Sequence, residues 1–255
     1  MLKIRILGSG TSSGVPRIGN DWGRCDPGEP RNRRTRASVL VESETTRILV
    51  DTSPDMRAQL NAANVDRVDA VIWTHDHADH THGIDDLRQI FHNMRRPVAG
   101  FAHPQTIRRL KARFDYVFAG GGGYRPTATI DALGATRRIG DIDVASVDQP
   151  HGDIFATGLR FEKDGKAIGY ATDFHAFTDE MRGLYTGLDV WVVDALRREP
   201  HPTHPHLAAT LQWIGECAPR RAALVHMDNS MDYATLMQAL PSGVEPGYDG
   251  MELMA

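Results

Sequence analysis

Short apolar runs that stop abruptly at glycine or polar residues recur along the whole chain. Leu2–Leu7 alternates apolar and basic positions, as a half-buried strand does. Ala37–Val41 and Thr45–Val50 read as further strands. Pro54, with Ser53 as cap, opens a helix running to about Asn61. Val68–Trp73 and Val98–Ala102 are the next two strands, and His103-Pro104 starts a helix over Gln105–Phe114. A helix beginning at Asp85 carries Leu87, Ile90 and Phe91. In the second half the strands are Ile142–Val147, Ala167–Thr172, Leu188–Val193 and Ala222–Val225, with a helix over Leu207–Cys217 before the last. The four glycines Gly120–Gly123 predict a loop with no fixed backbone. Strand and helix alternate throughout, which implies an α/β architecture.

Composition sets the frame for that pattern. A chain of 255 residues, 41% hydrophobic, can build its core without disulfides, as one large domain or two small ones. The two cysteines, Cys25 and Cys217, fit a reducing, cytoplasmic compartment. No signal peptide and no apolar stretch of membrane-spanning length is visible, so no membrane partner is expected. The net charge of -4 gives no general attraction to large nucleic acids.

The chemistry concentrates in Thr74-His75-Asp76-His77-Ala78-Asp79-His80-Thr81-His82, directly after a strand. Folding does not require four imidazoles and two carboxylates at one strand end, whereas metal binding does. His75 and His77 are two apart, so an extended backbone turns them the same way, and Asp79 and His80 can face a second point. Further strands lead to His151, Asp173, Asp194 and His226. Loops at one end of an open sheet converge, so these distant residues can meet. Arg31, Arg33, Arg34 and Arg36 crowd one polar segment, and a guanidinium fork suits phosphate. The loop Gly8–Pro16 can offer backbone N–H groups to an anion. Asp51, at a strand end, is placed to orient a ligand histidine.

His75-Asp76-His77-Ala78-Asp79-His80 resembles the H-x-H-x-D-H signature of the metallo-β-lactamase superfamily. That resemblance implies a four-layer αββα sandwich, one domain over residues 1–255, and two metal positions. His75, His77 and His151 would hold one ion, Asp79, His80 and His226 the other, and Asp173 would bridge them. Gly8–Pro16, Arg33-Arg34 and the ending Leu240–Glu252 are similar to the PhnP-type phosphodiesterases of the carbon–phosphorus lyase pathway. Such enzymes open a ribosyl 1,2-cyclic phosphate and act on 2′,3′-cyclic nucleotides. The resemblance implies hydroxide attack at a two-metal centre of zinc or manganese, or of iron, with His204 as general acid and Asp79 in the catalytic group. His201 and His206 are the alternatives for the acid. Ser12, Arg33, Arg34 and His206 are the candidate substrate contacts, and Asp51 and Asp194 the supports behind the ligands.

The PhnP-type family also carries a structural zinc on three cysteines and a histidine. Here the corresponding stretch holds only Cys25, and Asn229 stands near the histidine position, so no third zinc is expected. The expected partner is a small phosphorylated substrate or nucleotide, with monomer and homodimer both open. The rivals are a tRNase Z-like RNA 3′-processing nuclease, a thioesterase or lactonase, and a non-catalytic metal- or nucleotide-binding protein. The first would need a long basic arm, which the sequence does not show.

Overall fold

The computed structural model describes residues 1–255. Its strands form two seven-stranded sheets. The first contains β1 (Lys3–Gly8), β2 (Ser38–Glu42), β3 (Arg47–Val50), β4 (Ala70–Trp73), β5 (Ala99–Ala102) and β6 (Asp131–Ala132) in sequence order. The second contains β7 (Thr136–Ile139), β8 (Ile142–His151), β9 (Ile154–Lys163), β10 (Lys166–Ala171), β11 (Val190–Asp194), β12 (Arg221–Val225) and β13 (Val244–Pro246). The last strand, β14 (Glu252–Met254), returns to the first sheet and pairs antiparallel with β1. In each sheet an antiparallel group gives way to parallel strands: β3, β4, β5 and β6 in the first, and β10, β11, β12 and β13 in the second.

Three separate apolar clusters define the layers. Ile4, Val39, Ile72, Phe161, Tyr170 and Val192 belong to the core between the two sheets. Leu49, Val71 and Trp73 face the other way, toward α1 (Met56–Ala62), a four-residue turn α2 (Ala78–Thr81), α3 (Leu87–Met94), α4 (Pro104–Arg113) and α5 (Asp115–Ala119). Trp191, Val193 and Leu224 pack beneath α6 (Asp179–Tyr185), α7 (Leu207–Cys217) and α8 (Tyr233–Ala239). The architecture is therefore the αββα sandwich. No helix is long and apolar enough to cross a membrane.

Several elements differ from the sequence expectation. The helix expected from Pro54 starts at Met56, and Ser53 does not cap it. Ser53 Oγ accepts from Asp55 N at 3.2 Å, while the Asp55 carboxylate serves Arg36 N and Nε. The helix expected from Asp85 is a 3₁₀ turn over Ile84–Asp86 followed by α3. The strand expected to end at Val147 runs on through Pro150 to His151 and folds back into β9, which the sequence pattern did not reveal. β7 pairs only with residues 142–145 of β8, so the proline falls where the far edge has no partner strand.

The C-terminal segment has a structural task. Asp249 accepts from Ser9 N and Oγ (2.9 and 2.8 Å) and from Thr35 N and Oγ1 (2.7 and 2.6 Å). It thereby ties the Gly8–Pro16 loop to the arginine-rich segment. Asp249→Ala strands four donors; a loss of about 3 kcal/mol is expected, which lowers Tm by roughly 6–12 °C in a scanning-calorimetry comparison.

Candidate metal centre

Five strand ends deliver the clustered residues. β4 leads through Thr74 to His75, β8 ends on His151, β10 leads to Asp173, β11 ends on Asp194 and β12 leads to His226. Asp173 and His226 each take a left-handed backbone (φ 58° for both), and Asp51 after β3 does the same (φ 64°). Asp and His tolerate that conformation better than most side chains, and such strain collects at functional sites. The turn α2 follows His77 and carries both Asp79 and His80, separating the two halves of the motif.

Each anchored ring has one nitrogen committed to the protein. His80 Nδ1 lies 2.8 Å from Asp51 Oδ2, and Asp51 also accepts from Thr74 N and Oγ1 (2.8 and 2.9 Å). Since Thr74 Oγ1 donates there, it accepts from His75 Nδ1 at 3.0 Å. His151 Nδ1 donates to Thr203 O at 3.0 Å. These bonds commit Nδ1 as a donor to the protein and turn Nε2 inward, where it can ligate once any proton on it is displaced. The Nε2 atoms of His75, His80 and His226 are buried and have no hydrogen-bond partner. An orphaned buried nitrogen is costly, and three of them converging on carboxylates is what a cation site requires.

The donor atoms fall into groups. Those of His75, His77, His151 and Asp173 lie within 4.8 Å of one another, as do those of Asp79, His80 and His226. Asp173 Oδ1 is 3.9 Å from His75 Nε2, 3.7 Å from His151 Nε2 and 3.6 Å from His226 Nε2. Its Oδ2 is 3.2 Å from His80 Nε2. Asp79 Oδ2 is 3.4 Å from His80 Nε2 and 3.6 Å from His226 Nε2. The residues therefore fit divalent ions, with Asp173 between the two groups. Asp51→Asn keeps the size of its side chain but weakens the hold on His80. It is expected to lower affinity for the ion beside His80 about 10- to 100-fold in a chelator-competition titration.

Without metal the cluster is internally charged. Burial alone would raise Asp173, but His226 and His80 outweigh it and hold the carboxyl well below its ordinary range. Asp79 is depressed in the same way, against its burial, by His80 and by the neighbouring His226 ring. Burial opposes protonation of His226, yet Asp173 and Asp194 lift it to about 9. His80 is lifted well above its usual value, against burial, by Asp173, Asp79 and Asp51. Burial pushes His75 well below its usual value and lowers His77 and His151. A cation must therefore displace the protons of His80 and His226. Below pH 9 the protonated form of His226 competes with metal, so affinity rises as pH rises toward about 9. Calorimetric metal titrations at pH 7.5, in buffers of different ionisation enthalpy, are expected to show about two protons released per chain.

The other expected residues divide. His204 Nδ1 donates to Asp194 Oδ2 at 3.0 Å and lies 3.8 Å from Asp173 Oδ1. Its ring stacks on His226, with centroids 4.8 Å apart. His201 instead engages Thr203 through Nδ1, and His206 sits at the start of α7 without a capping bond. Asp194 Oδ2 also accepts from Asp173 N at 3.0 Å. Arg34 is a correction. It is 2% exposed, and its guanidinium donates to Asp228 O (3.2 Å), Met231 O (2.6 Å) and Asn32 Oδ1 (3.3 Å), so its fork is spent on the protein's own loops. Arg33 is exposed and lies over Trp22 at 5.1 Å, and Ser12 is exposed on its loop. Near Cys25, Asn229 Nδ2 donates to Asp21 Oδ2 at 3.1 Å, and Asn229 O accepts from Arg24 N at 2.7 Å.

The sequence reading missed Asp76, which stands between two ligand histidines. It is 5% exposed and is clamped by Arg109 Nη1 at 2.9 Å and by Arg113, both on α4. Only the facing helix reveals that pairing; no spacing in the motif encodes it.

Residues 46–227 match the model of a β-lactamase superfamily domain. The chain belongs to the metallo-β-lactamase superfamily. Within it, a diphosphatase of the PhnP family is 31% identical, with a TM-score of 0.90 over 99% of this chain and 96% of that one. This is accordingly a PhnP-like member of the superfamily. The zinc-bound PqqB of Methylobacterium extorquens shares the fold at a TM-score of 0.79 and 18% identity, covering 99% of this chain and all of that one. An octanoyltransferase of Porphyromonas gingivalis is 30% identical over 258 residues, 98% of this chain. The chain spans about half the length of that relative, 51%.

Proposed function

We propose that this PhnP-like hydrolase opens small cyclic phosphodiesters, a ribosyl 1,2-cyclic phosphate or a 2′,3′-cyclic nucleotide, using two divalent ions. The carrying observation is Asp173, set between two groups of converging imidazole nitrogens with His204 beside it. His75, His77 and His151 would hold the first ion, Asp79, His80 and His226 the second, and Asp173 both. When bound, such ions supply Lewis-acid charge to phosphoryl oxygens and lower the pKa of an attacking water. Zinc or manganese suits these nitrogen and carboxylate donors, and iron is a further candidate.

The rest is done by the chain's own groups. Asp51 and Thr74 hold the rings of His80 and His75 in one tautomer. Asp194 accepts the hydrogen bond from His204 Nδ1–H, so Nε2 is the nitrogen left to protonate the leaving alkoxide. Arg33 is the remaining arginine candidate for phosphate contact. A small phosphorylated partner, rather than a large nucleic acid, completes the reading, and the two unpaired buried cysteines suit a cytoplasmic setting.

A second reading, cleavage of a diphosphate bond, is favoured by the similarity to the PhnP-family diphosphatase. The test is a turnover assay of protein shown to carry two ions. Its panel is a ribosyl 1,2-cyclic phosphate, a 2′,3′-cyclic nucleotide and a nucleoside diphosphate ester. Preferred opening of the cyclic esters supports the proposal. Turnover of only the diphosphate replaces it with the second reading, and turnover of none sinks both.

A further inference from the structure

We infer that Asp76, held by Arg109 and Arg113 of α4, is a positioning residue that aims His75 and His77 at the first metal ion. The inference rests on the two-ion reading of the centre and is independent of the substrate. Asp76 stands between the two histidines in the chain yet faces away from them. His77 has an extended backbone (φ -65°, ψ 154°), and the His75 and His77 rings lie together, with centroids 4.6 Å apart. An extended chain that turns residues i and i+2 one way turns i+1 the other. The Asp76 carboxylate accordingly goes to α4, where Arg109 Nη1 donates to Oδ1 at 2.9 Å and Arg113 Nη2 donates to Oδ2. The two arginines are four residues apart on one face of α4, so each carboxylate oxygen has its own guanidinium.

Little else holds this stretch. Neither His75 nor Asp76 makes a backbone–backbone hydrogen bond. The chain is pinned before them, where Thr157 N donates to Thr74 O at 2.9 Å. It is pinned again after them, where His80 N and Thr81 Oγ1 donate to His77 O at 3.1 and 2.8 Å. Within the first ligand group, His75 leans on Thr74 and His151 on the Thr203 carbonyl. His77 is the exposed member, and the only polar contact of its ring is Nδ1 with His151 Nε2 at 3.3 Å, another ligand of the same group. The direction of the His77 ring is thus set by the backbone at residues 75–77, and the Asp76 side chain is the anchor of that backbone.

Charge and positioning make opposite predictions for this clamp. A buried ion pair adds little to stability once desolvation is counted, so its use lies in the geometry it fixes. Two guanidiniums and one carboxylate carry a net positive charge, which by itself disfavours a nearby cation. Removing the guanidiniums would tighten metal binding if charge alone mattered. It would weaken binding if the clamp aims the rings.

The test is a zinc titration of metal-free protein against a chromophoric chelator, with the visible absorption of the cobalt(II)-loaded protein as a second readout. Wild type is expected to bind two ions. Arg109→Gln combined with Arg113→Gln removes two partly exposed side chains outside the ligand loop. That variant is expected to weaken one ion about 10- to 100-fold, to leave the other within about threefold, and to change the cobalt spectrum of one position only. Asp76→Asn keeps the shape of the side chain and is expected to weaken the same ion. Adding Asp51→Asn, which acts on the ion beside His80, is expected to weaken the other one as well. Unchanged or tighter binding in the arginine variant, or an equal loss at both ions, overturns the inference and leaves the two-ion centre standing. A combined loss confined to one ion in the Asp51→Asn protein also overturns it. Wild type that binds fewer than two ions overturns the two-ion reading and the inference with it.

Discussion

Asp173→Ala is expected to abolish hydrolysis and to reduce metal content to at most one ion per chain. Asp173 is the one carboxylate that lies beside both groups of imidazoles, with Oδ1 toward His75, His151 and His226 and Oδ2 toward His80. Its removal takes a ligand from both positions at once. It also leaves His80 and His226 without the strongest attraction that lifts them, so their protons no longer have the same hold. Lewis-acid stabilisation is worth several kcal/mol, so a fall of roughly 10³–10⁴ in kcat/KM is the minimum expected. Asp173→Asn separates charge from shape, since it fills the same space with half the donor capacity. Elemental analysis and steady-state assay check both variants. Two ions per chain with wild-type turnover would refute the bridging role.

His204→Ala carries the second large effect. Asp194 fixes the ring through Nδ1, and His201 and His206 make no comparable contact with the cluster. General-acid removal is expected to cost about 10²–10⁴-fold in kcat when the leaving group is a sugar alkoxide. With p-nitrophenolate, which leaves without protonation, the loss is expected to shrink to within about tenfold. His201→Ala and His206→Ala should stay near wild type on both substrates. An equal loss for His204→Ala on the two leaving groups would show that the ring positions the site and does not protonate.

How legible the site was depends on how local each residue's partners are. His75, His77, Asp79 and His80 stand within six positions, and only metal binding accounts for that density. His151, Asp173 and His226 were visible as polar residues at the ends of apolar runs, because parallel strands deliver their C-terminal ends to one edge. Asp51 was readable by the same logic. Arg34 was misread, since a guanidinium one residue from Arg33 has no local sign of pointing inward to the Asp228 and Met231 carbonyls. Asp76 acquires meaning only across the gap to α4, an element distant in sequence.

The α/β alternation and the metal chemistry were written in the sequence, because periodicity and motif spacing are properties of neighbouring residues; the αββα layering followed only from the motif's resemblance to the superfamily. Tertiary structure alone decided which of three histidines stands beside Asp173 and which arginines are spent on the protein's own backbone. Those outcomes depend on two sheets meeting face to face and on left-handed turns at Asp51, Asp173 and His226 that aim side chains into the gap. No local pattern specifies the packing of one sheet on another.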